Sequence, residues 1–576
     1  MASPPHGSET IRNLQNSQEA ENPQELTPFI RHHFSLMLAN DSADWNLSVY
    51  DLAWVLCCDY LNQGQKEHSL QVLRAVQNAD GTWGDCSYMP HSALIDTLAV
   101  VMAMIRLKEP IPHADRIKVG VSNLISAASQ YTRHDTVAFE LLMPLLLDWI
   151  ERKRFKFPLD PAARDYVNAT LAKGRQKLTM IARGPGLFDP RATLSYTAEF
   201  SALITLTKDD LDQLPNLMLP NGAVGLSPAA TAAVILVLRA NKRDVPEKLY
   251  KYLGDVFDAY KGRGFPDLYP YAHTQRLWNI VPWILSGNIF DLMSDPEIGY
   301  QLLGMYEDLK FDDKGRVSWD TYNTNLPDLD DTSVAFALRA VLARSGIPTT
   351  YRQPISAFRE FQRKDGSFFC YPHELHPSPV GILHAVMALE IATGTSDPAA
   401  IHDPEVKSLM ADLLRNLDPH GQDFDMLCHD KWHASWTYGS QRWLSISSIR
   451  RAYPDTVRSM IVEILSRQRG GGWGQQDPSP EETAYVAAGL AAVLQDENFV
   501  LPDPLRSDVE AGLSRASGYL SAELAQEDFN VPLIWISKNV YVPLHQAISA
   551  ILDARFSLMA AADQVEILYE EDRRSA

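Results

Sequence analysis

Cysteine is scarce in this chain. There are five in 576 residues (Cys57, Cys58, Cys86, Cys370 and Cys428), an odd number with no Cys-x-x-Cys pair. That excludes a disulfide framework and a thiolate zinc site, and it fits a reducing, cytoplasmic setting. Basic residues are in deficit: 52 Lys and Arg face 72 Asp and Glu, a net charge of −20. An acidic surface argues against nucleic acid or an anionic membrane as the main partner. No apolar run reaches transmembrane length, so no membrane anchor is expected. The start of the chain lacks the basic stretch and apolar core of a signal peptide. Alternating apolar and polar residues are sparse, which argues against extended sheet.

What is present is helical. Hydrophobic residues make up 45% of the chain and charged ones 22%, the balance of a globular protein with a large core. The length allows about two to four domains. Segments 96–106, 228–240, 332–344 and 481–494 are Ala/Leu/Val-rich runs of helical length. Residues 1–25 are polar and are read as a disordered N-terminus.

A Gly/aromatic turn recurs. Gln77-Asn78-Ala79-Asp80-Gly81-Thr82-Trp83-Gly84, Gln362-Arg363-Lys364-Asp365-Gly366-Ser367-Phe368-Phe369 and Gln468-Arg469-Gly470-Gly471-Gly472-Trp473-Gly474 each precede a helical run. Glycine allows the tight turn, the aromatic ring fills the gap between helix pairs, and the Gln amide caps a helix end. Recurrence of this unit predicts stacked helical hairpins in an α/α toroid.

The chemistry concentrates in Asp328-Leu329-Asp330-Asp331. Three carboxyls in one turn cannot all ionise cheaply once buried, so the cluster keeps a proton to give. The same residues also read as a helix cap, with Asp331 as the capping residue, or as a cation site.

With the tetrad in place, the chain resembles the class II terpene cyclases that act on prenyl diphosphates, such as copalyl diphosphate synthases. Their hallmark is Asp-x-Asp-Asp, and the recurring turn is similar to their QW motif. Ser48-Val49-Tyr50-Asp51-Leu52-Ala53-Trp54, Gly222-Ala223-Val224-Gly225-Leu226-Ser227-Pro228 and Phe265-Pro266-Asp267-Leu268-Tyr269-Pro270 resemble further family blocks, in family order. So do Gln275-Arg276-Leu277-Trp278 and Asp365-Gly366-Ser367-Phe368-Phe369-Cys370.

The resemblance implies roles. Asp330 is the general acid, with Asp328 and Asp331 beside it. His384 falls where relatives place a residue that hydrogen-bonds the acid. Asp135 and Glu140 match a bacterial Asp-x-x-x-x-Glu motif for Mg²⁺, the expected cofactor. Lys177, Lys431 and Lys538 fall in or near blocks expected to hold the diphosphate. Trp319, Tyr269, Trp278, Phe368, Trp436 and Tyr541 are the aromatic candidates for a cation-stabilising cavity. Tyr196 and Asp267 stand where plant relatives carry a His–Asn pair that organises the final deprotonation, so the product skeleton is open.

The Asp-Asp-x-x-Asp cluster of class I synthases has no counterpart. Asp209-Asp210-Leu211-Asp212 has the wrong spacing, and Asp312-Asp313 lacks the third acid. The diphosphate should therefore survive the reaction.

The expected fold is all-α, two α/α barrels in the family's βγ arrangement. Residues 26–45 would belong to the second barrel, 46–285 would form an inserted first barrel, and 286–560 would complete the second, with the tetrad. The expected reaction is cycloisomerisation of geranylgeranyl diphosphate to a bicyclic copalyl-type diphosphate. Farnesyl diphosphate, giving drimenyl diphosphate, is the alternative substrate, and a non-catalytic toroid subunit is the alternative of another class. A class I synthase or a phosphatase would act downstream.

Overall fold

The computed structural model describes residues 7–39, 45–131, 135–182, 186–189, 196–270, 272–319, 322, 326–371, 374, 378–526, 529 and 531–575. The fold is all-α. Among the described residues the one sheet is a short antiparallel hairpin, Trp535–Ile536 with Val540–Tyr541.

Two kinds of helix build the barrels. Inner helices are apolar around their whole circumference and so are buried on every side. Pro90–Leu107 buries every residue from His91 to Met104, and Pro379–Thr393 every residue from Val380 to Leu389. Outer helices are amphipathic and bury one stripe: Pro404–Asn416 covers Leu409, Met410, Leu413 and Leu414. Alternation of the two along the chain gives the double-layered toroid.

The helices sort by contact into two groups. Val49–Cys57 packs on Pro90–Leu107 and Pro228–Ala240, and Pro90–Leu107 packs on Phe139–Arg152. In the other group Leu329–Arg344 packs on Pro379–Thr393, and Pro480–Gln495 packs on Trp436–Ser445 and Leu544–Ser575. Ala272–Ser286 departs from the expected boundary at 285. It packs on Leu544–Ser575, Leu329–Arg344 and Pro480–Gln495, because its buried face (Leu277, Trp278, Val281) is needed in the second group.

Two expectations are corrected. The N-terminus is not disordered throughout: Gly7–Asn16 is a helix whose Thr10, Asn13 and Leu14 are buried at helical spacing, against Pro23–Ala39 and Leu544–Ser575. One apolar run does reach membrane-spanning length. Pro90–Leu107 passes by length and hydropathy, but 78% of it is buried among the helices around it.

The recurring turns share one device. The backbone N–H of Trp83 is received by Thr97 Oγ1 (2.8 Å), and that of Trp473 by Thr483 Oγ1 (2.9 Å), each on the helix that follows. Each indole N–H then satisfies a carbonyl at the end of the preceding helix, Leu73 (2.6 Å) or Ile464 (2.8 Å). Phe368 departs: its N–H goes to Asn416 Oδ1 (3.1 Å). Val317 to Thr332 Oγ1 (3.0 Å) repeats the device, and Thr332 directly follows the acidic tetrad. The toroid's own turn thus places the acids.

The 535–541 hairpin bridges the groups. Ala434 N–H donates to Ile534 O (2.7 Å) and Ile536 N–H to Trp432 O (2.8 Å) on one side. On the other, Val137 N–H donates to Ser537 O (2.8 Å) and Val540 N–H to Ser92 Oγ (2.9 Å).

Candidate active site

Asp328, Asp330 and Asp331 are all buried, at 2, 2 and 3% exposure. The helix cap is Asp328, not Asp331. Asp328 has extended backbone just before Leu329–Arg344, and its Oδ1 accepts the Asp331 N–H at 2.7 Å. Asp331 turns inward and accepts the Trp278 indole N–H at 3.0 Å. Burial, then the neighbouring Asp331 and Asp330, push Asp328 well above the usual carboxylate range. Asp430, also buried and facing Asp330, is pushed up to about 7. Crowded, dry carboxyls of this kind keep protons at neutral pH, and the protons belong to the cluster rather than to one residue.

The two oxygens of Asp330 differ. Oδ1 is hydrogen-bonded to His384 Nδ1, while Oδ2 is buried without a partner. His384 comes from Pro379–Thr393, packed directly on the tetrad's helix. Burial lowers its pKa despite the raising effect of Asp330, so the ring is neutral. Its Nε2 faces Arg442 Nε at 3.2 Å. Arg442 can only donate, so the ring proton sits on Nδ1 and points at Oδ1. A proton on Asp330 is then directed to Oδ2.

That oxygen's residue lies on the wall of a cavity of about 780 Å³ of atom-free space, part of it open to solvent. Asp328, Asp330 and Asp331 share the wall with Trp278, Trp319, Tyr371, Trp432, Trp535 and Tyr541. Val137 and Leu268 bring in the first helical group, and residues 535–538 of the hairpin complete it. An aromatic cavity holding an acid can protonate a weak base such as an alkene, and its rings can face the resulting cation in place of water.

Not every aromatic candidate is on this wall. Trp319, Trp278 and Tyr541 are. Phe368 is buried in its turn, Trp436 packs on Phe424 (5.4 Å) beneath Arg467, and Tyr269 packs edge-on to Tyr260 (6.4 Å).

The lysines separate. Lys431 pairs with Glu374 and lies over the rings of Trp432 (4.6 Å) and Tyr371 (5.2 Å). Burial, partly offset by Cys370, lowers it to about 8, and the Lys177 ammonium is near enough to add to the fall. Lys177 pairs with Glu140 at 2.7 Å. Two ammoniums, each held by a carboxylate that could release it, form a site fit for a diphosphate. Lys538 lies on the cavity wall with a different set of partners. Its ammonium is tied to Glu199 Oε1 (2.8 Å) and Ser227 Oγ (2.6 Å), with Asp267 at 3.7 Å. It bolts the hairpin into a buried acidic pocket of the first group.

Asp135 faces His91 at 3.3 Å and Glu140 faces Lys177. No cluster of three metal-binding side chains occurs among the described residues. Asp135 and Glu140 are hard-oxygen donors of the type Mg²⁺ takes, and such an ion would need a diphosphate and waters to complete its coordination. Asp267 is buried with no hydrogen bond on either oxygen, behind Leu268. Tyr196 opens the helix Tyr196–Ser201, and its side chain lies outside the described residues.

Residues missed from the sequence include Arg442, Tyr371, Trp432, Trp535 and Glu374. The signal for Arg442 was present: it stands four residues after Tyr438, on whose ring it lies at 3.4 Å, within a wholly buried helix. An arginine there needs a fixed partner.

No family model matches the chain. It is 28% identical over 523 residues to the Type B diterpene cyclase of Mycobacterium tuberculosis, covering 88% of this chain and 94% of that one. It is 25% identical over 568 residues to the copalyl diphosphate synthase of Streptomyces cyslabdanicus, covering 93% and 97%. Among solved structures, ent-copalyl diphosphate synthase from Streptomyces platensis superposes with a TM-score of 0.66 at 22% identity, covering 93% of this chain and 99% of that one. The chain spans less than half the length of the plant relatives it matches.

Proposed function

We propose that this chain, a class II terpene cyclase of the bacterial type, converts geranylgeranyl diphosphate into a bicyclic copalyl-type diphosphate. The observation that carries the reading is the asymmetry of Asp330, a residue on the wall of an aromatic cavity: one oxygen is held by His384, and the other is buried and unpartnered.

Asp330 Oδ2 gives its proton to the terminal alkene. A C–H bond forms, and the π-electrons of successive double bonds close two rings. The carboxylate left behind keeps the His384 Nδ1–H hydrogen bond, with the Arg442 guanidinium behind the ring. Loss of a ring-adjacent proton ends the reaction, so substrate and product are isomers and the C–O bond to the diphosphate is untouched. Lys177 and Lys431 hold the diphosphate. Asp135 and Glu140 would hold Mg²⁺, which when bound offsets the charge of the diphosphate.

The diterpene enzymes among the relatives favour the C20 substrate. A non-catalytic toroid would have no use for a dry acid cluster on the wall of an aromatic cavity. The test is incubation of purified protein and Mg²⁺ with geranylgeranyl or farnesyl diphosphate, then dephosphorylation and gas chromatography–mass spectrometry. A bicyclic C20 alcohol is expected. No cyclised alcohol from either substrate overturns the reading.

A further inference from the structure

Two indoles of the cavity wall stand at right angles, Trp278 and Trp535, with centroids 5.8 Å apart and planes at 87°. Each gives its N–H to a buried carboxylate. Trp278 Nε1 donates to Asp331 Oδ1 at 3.0 Å, and Trp535 Nε1 to Glu481 Oε1 at 2.8 Å. Asp331 belongs to the acid cluster. Glu481 has no part in the proton transfer, yet it is fully buried. Its Oε1 also accepts the Tyr485 hydroxyl at 2.9 Å, and its Oε2 has no hydrogen-bond partner. It is the second residue of the sixteen-residue helix Pro480–Gln495, where the helix dipole favours an anion.

Neighbouring rings carry cations instead. Lys431 lies over Trp432 and Tyr371, and Arg442 lies over Tyr438 at 3.4 Å. Those faces repel a second positive charge. Among the described residues, no side-chain cation lies over Trp278 or Trp535. Donating the indole N–H to an anion in a dry site polarises the ring and strengthens its face toward a cation.

We propose that Glu481 is a positioning residue for ring closure: through the Trp535 N–H it orients and polarises the indole that receives the carbocation after protonation. The proposal rests on the class II reading above. The uncyclised substrate carries no cation, so the effect falls on turnover and product, not on substrate binding.

The experiment uses the full-length enzyme with Mg²⁺ and geranylgeranyl diphosphate. E481Q keeps an acceptor for Trp535 and replaces the carboxyl group with an amide. Its kcat should fall about tenfold, the scale of one desolvated cation–π contact, with KM unchanged and a rise in monocyclic or water-quenched products. In a W535F background E481Q should do nothing further. A structural role would instead lower kcat by the same factor in both backgrounds. Wild-type kcat and products in E481Q, or equal losses with and without Trp535, overturn the proposal. If E481Q does not fold, W535F decides: it must show the same fall and product shift, and wild-type products from it overturn the proposal. Wild-type enzyme that cyclises nothing removes the functional reading as well, whereas an active wild type with an unaffected E481Q removes this inference alone.

Discussion

Arg442 Nε reaches His384 Nε2 at 3.2 Å, and both side chains are fully enclosed. That contact sets the imidazole tautomer and leaves one oxygen of Asp330 for the substrate. Arg442→Lys removes the directed Nε–H. We expect kcat to fall about 10² with little change in KM, the scale of one misaligned acid–base partner. Its effect should largely vanish in a His384→Ala background, measured by product formation at saturating substrate.

Lys431 makes a different kind of contribution. It is held by Glu374 and by the faces of Tyr371 and Trp432, two rings that line the cavity. Lys431→Ala should raise KM about ten- to a hundredfold, as loss of one charge-assisted hydrogen bond does, and leave kcat nearly unchanged. Because Lys431 is lowered to about 8, its ammonium is lost as pH rises through that value. Wild-type KM should therefore climb above about pH 8, and the climb should be absent in the alanine variant.

Lys538 should behave as a bolt. It is 2% exposed and faces Glu199, Ser227 and Asp267. Lys538→Met leaves buried acids without their cation, a loss of about 3–5 kcal/mol where one partner of a buried pair is removed. The expected readout is a lower Tm in a thermal melt without substrate. An unchanged Tm with a raised KM would return Lys538 to the diphosphate site.

Asp553 tests the buried acids as a class. Its carboxyl accepts from Ser286 Oγ (2.6 Å) and Asn288 Nδ2 (2.8 Å), and burial raises it from 3.8 to about 7. A raised folded-state pKa means the folded chain binds more protons than the unfolded one between these values. Its stabilising contribution is whole below about pH 4 and is lost as pH rises through about 7. Asp553→Asn should raise Tm relative to wild type at pH 8 and give a clearly smaller gain at pH 5. A gain of equal size at both pH values would contradict this.

Much of the site was legible because its chemistry is local. Three acids in one turn, a histidine in an apolar helix and recurrent Gly/aromatic turns are patterns each contained within a short stretch of chain. What was not legible depends on contacts far apart in sequence. Asp328 rather than Asp331 caps the helix because the turn at Val317 fixes the chain's entry, 15 residues before Thr332. The buried partner of Lys538, Glu199, stands 339 residues away and could not be read from the block around the lysine. The N-terminal helix read as polar because only a narrow stripe around Leu14 is buried. Phe368 and Trp436 sit in recognisable blocks, but the blocks encode toroid packing as well as the cavity.

The central claim is that Asp330 supplies the proton. The most direct measurement compares wild type with Asp330→Asn, an isosteric change, using geranylgeranyl diphosphate and Mg²⁺ in D₂O, with dephosphorylation and mass spectrometry. The account predicts a bicyclic alcohol carrying one solvent-derived deuterium from wild type and at least a roughly 10³-fold loss of that product from the variant. A folded Asp330→Asn enzyme that forms the same labelled product at the wild-type rate would contradict it.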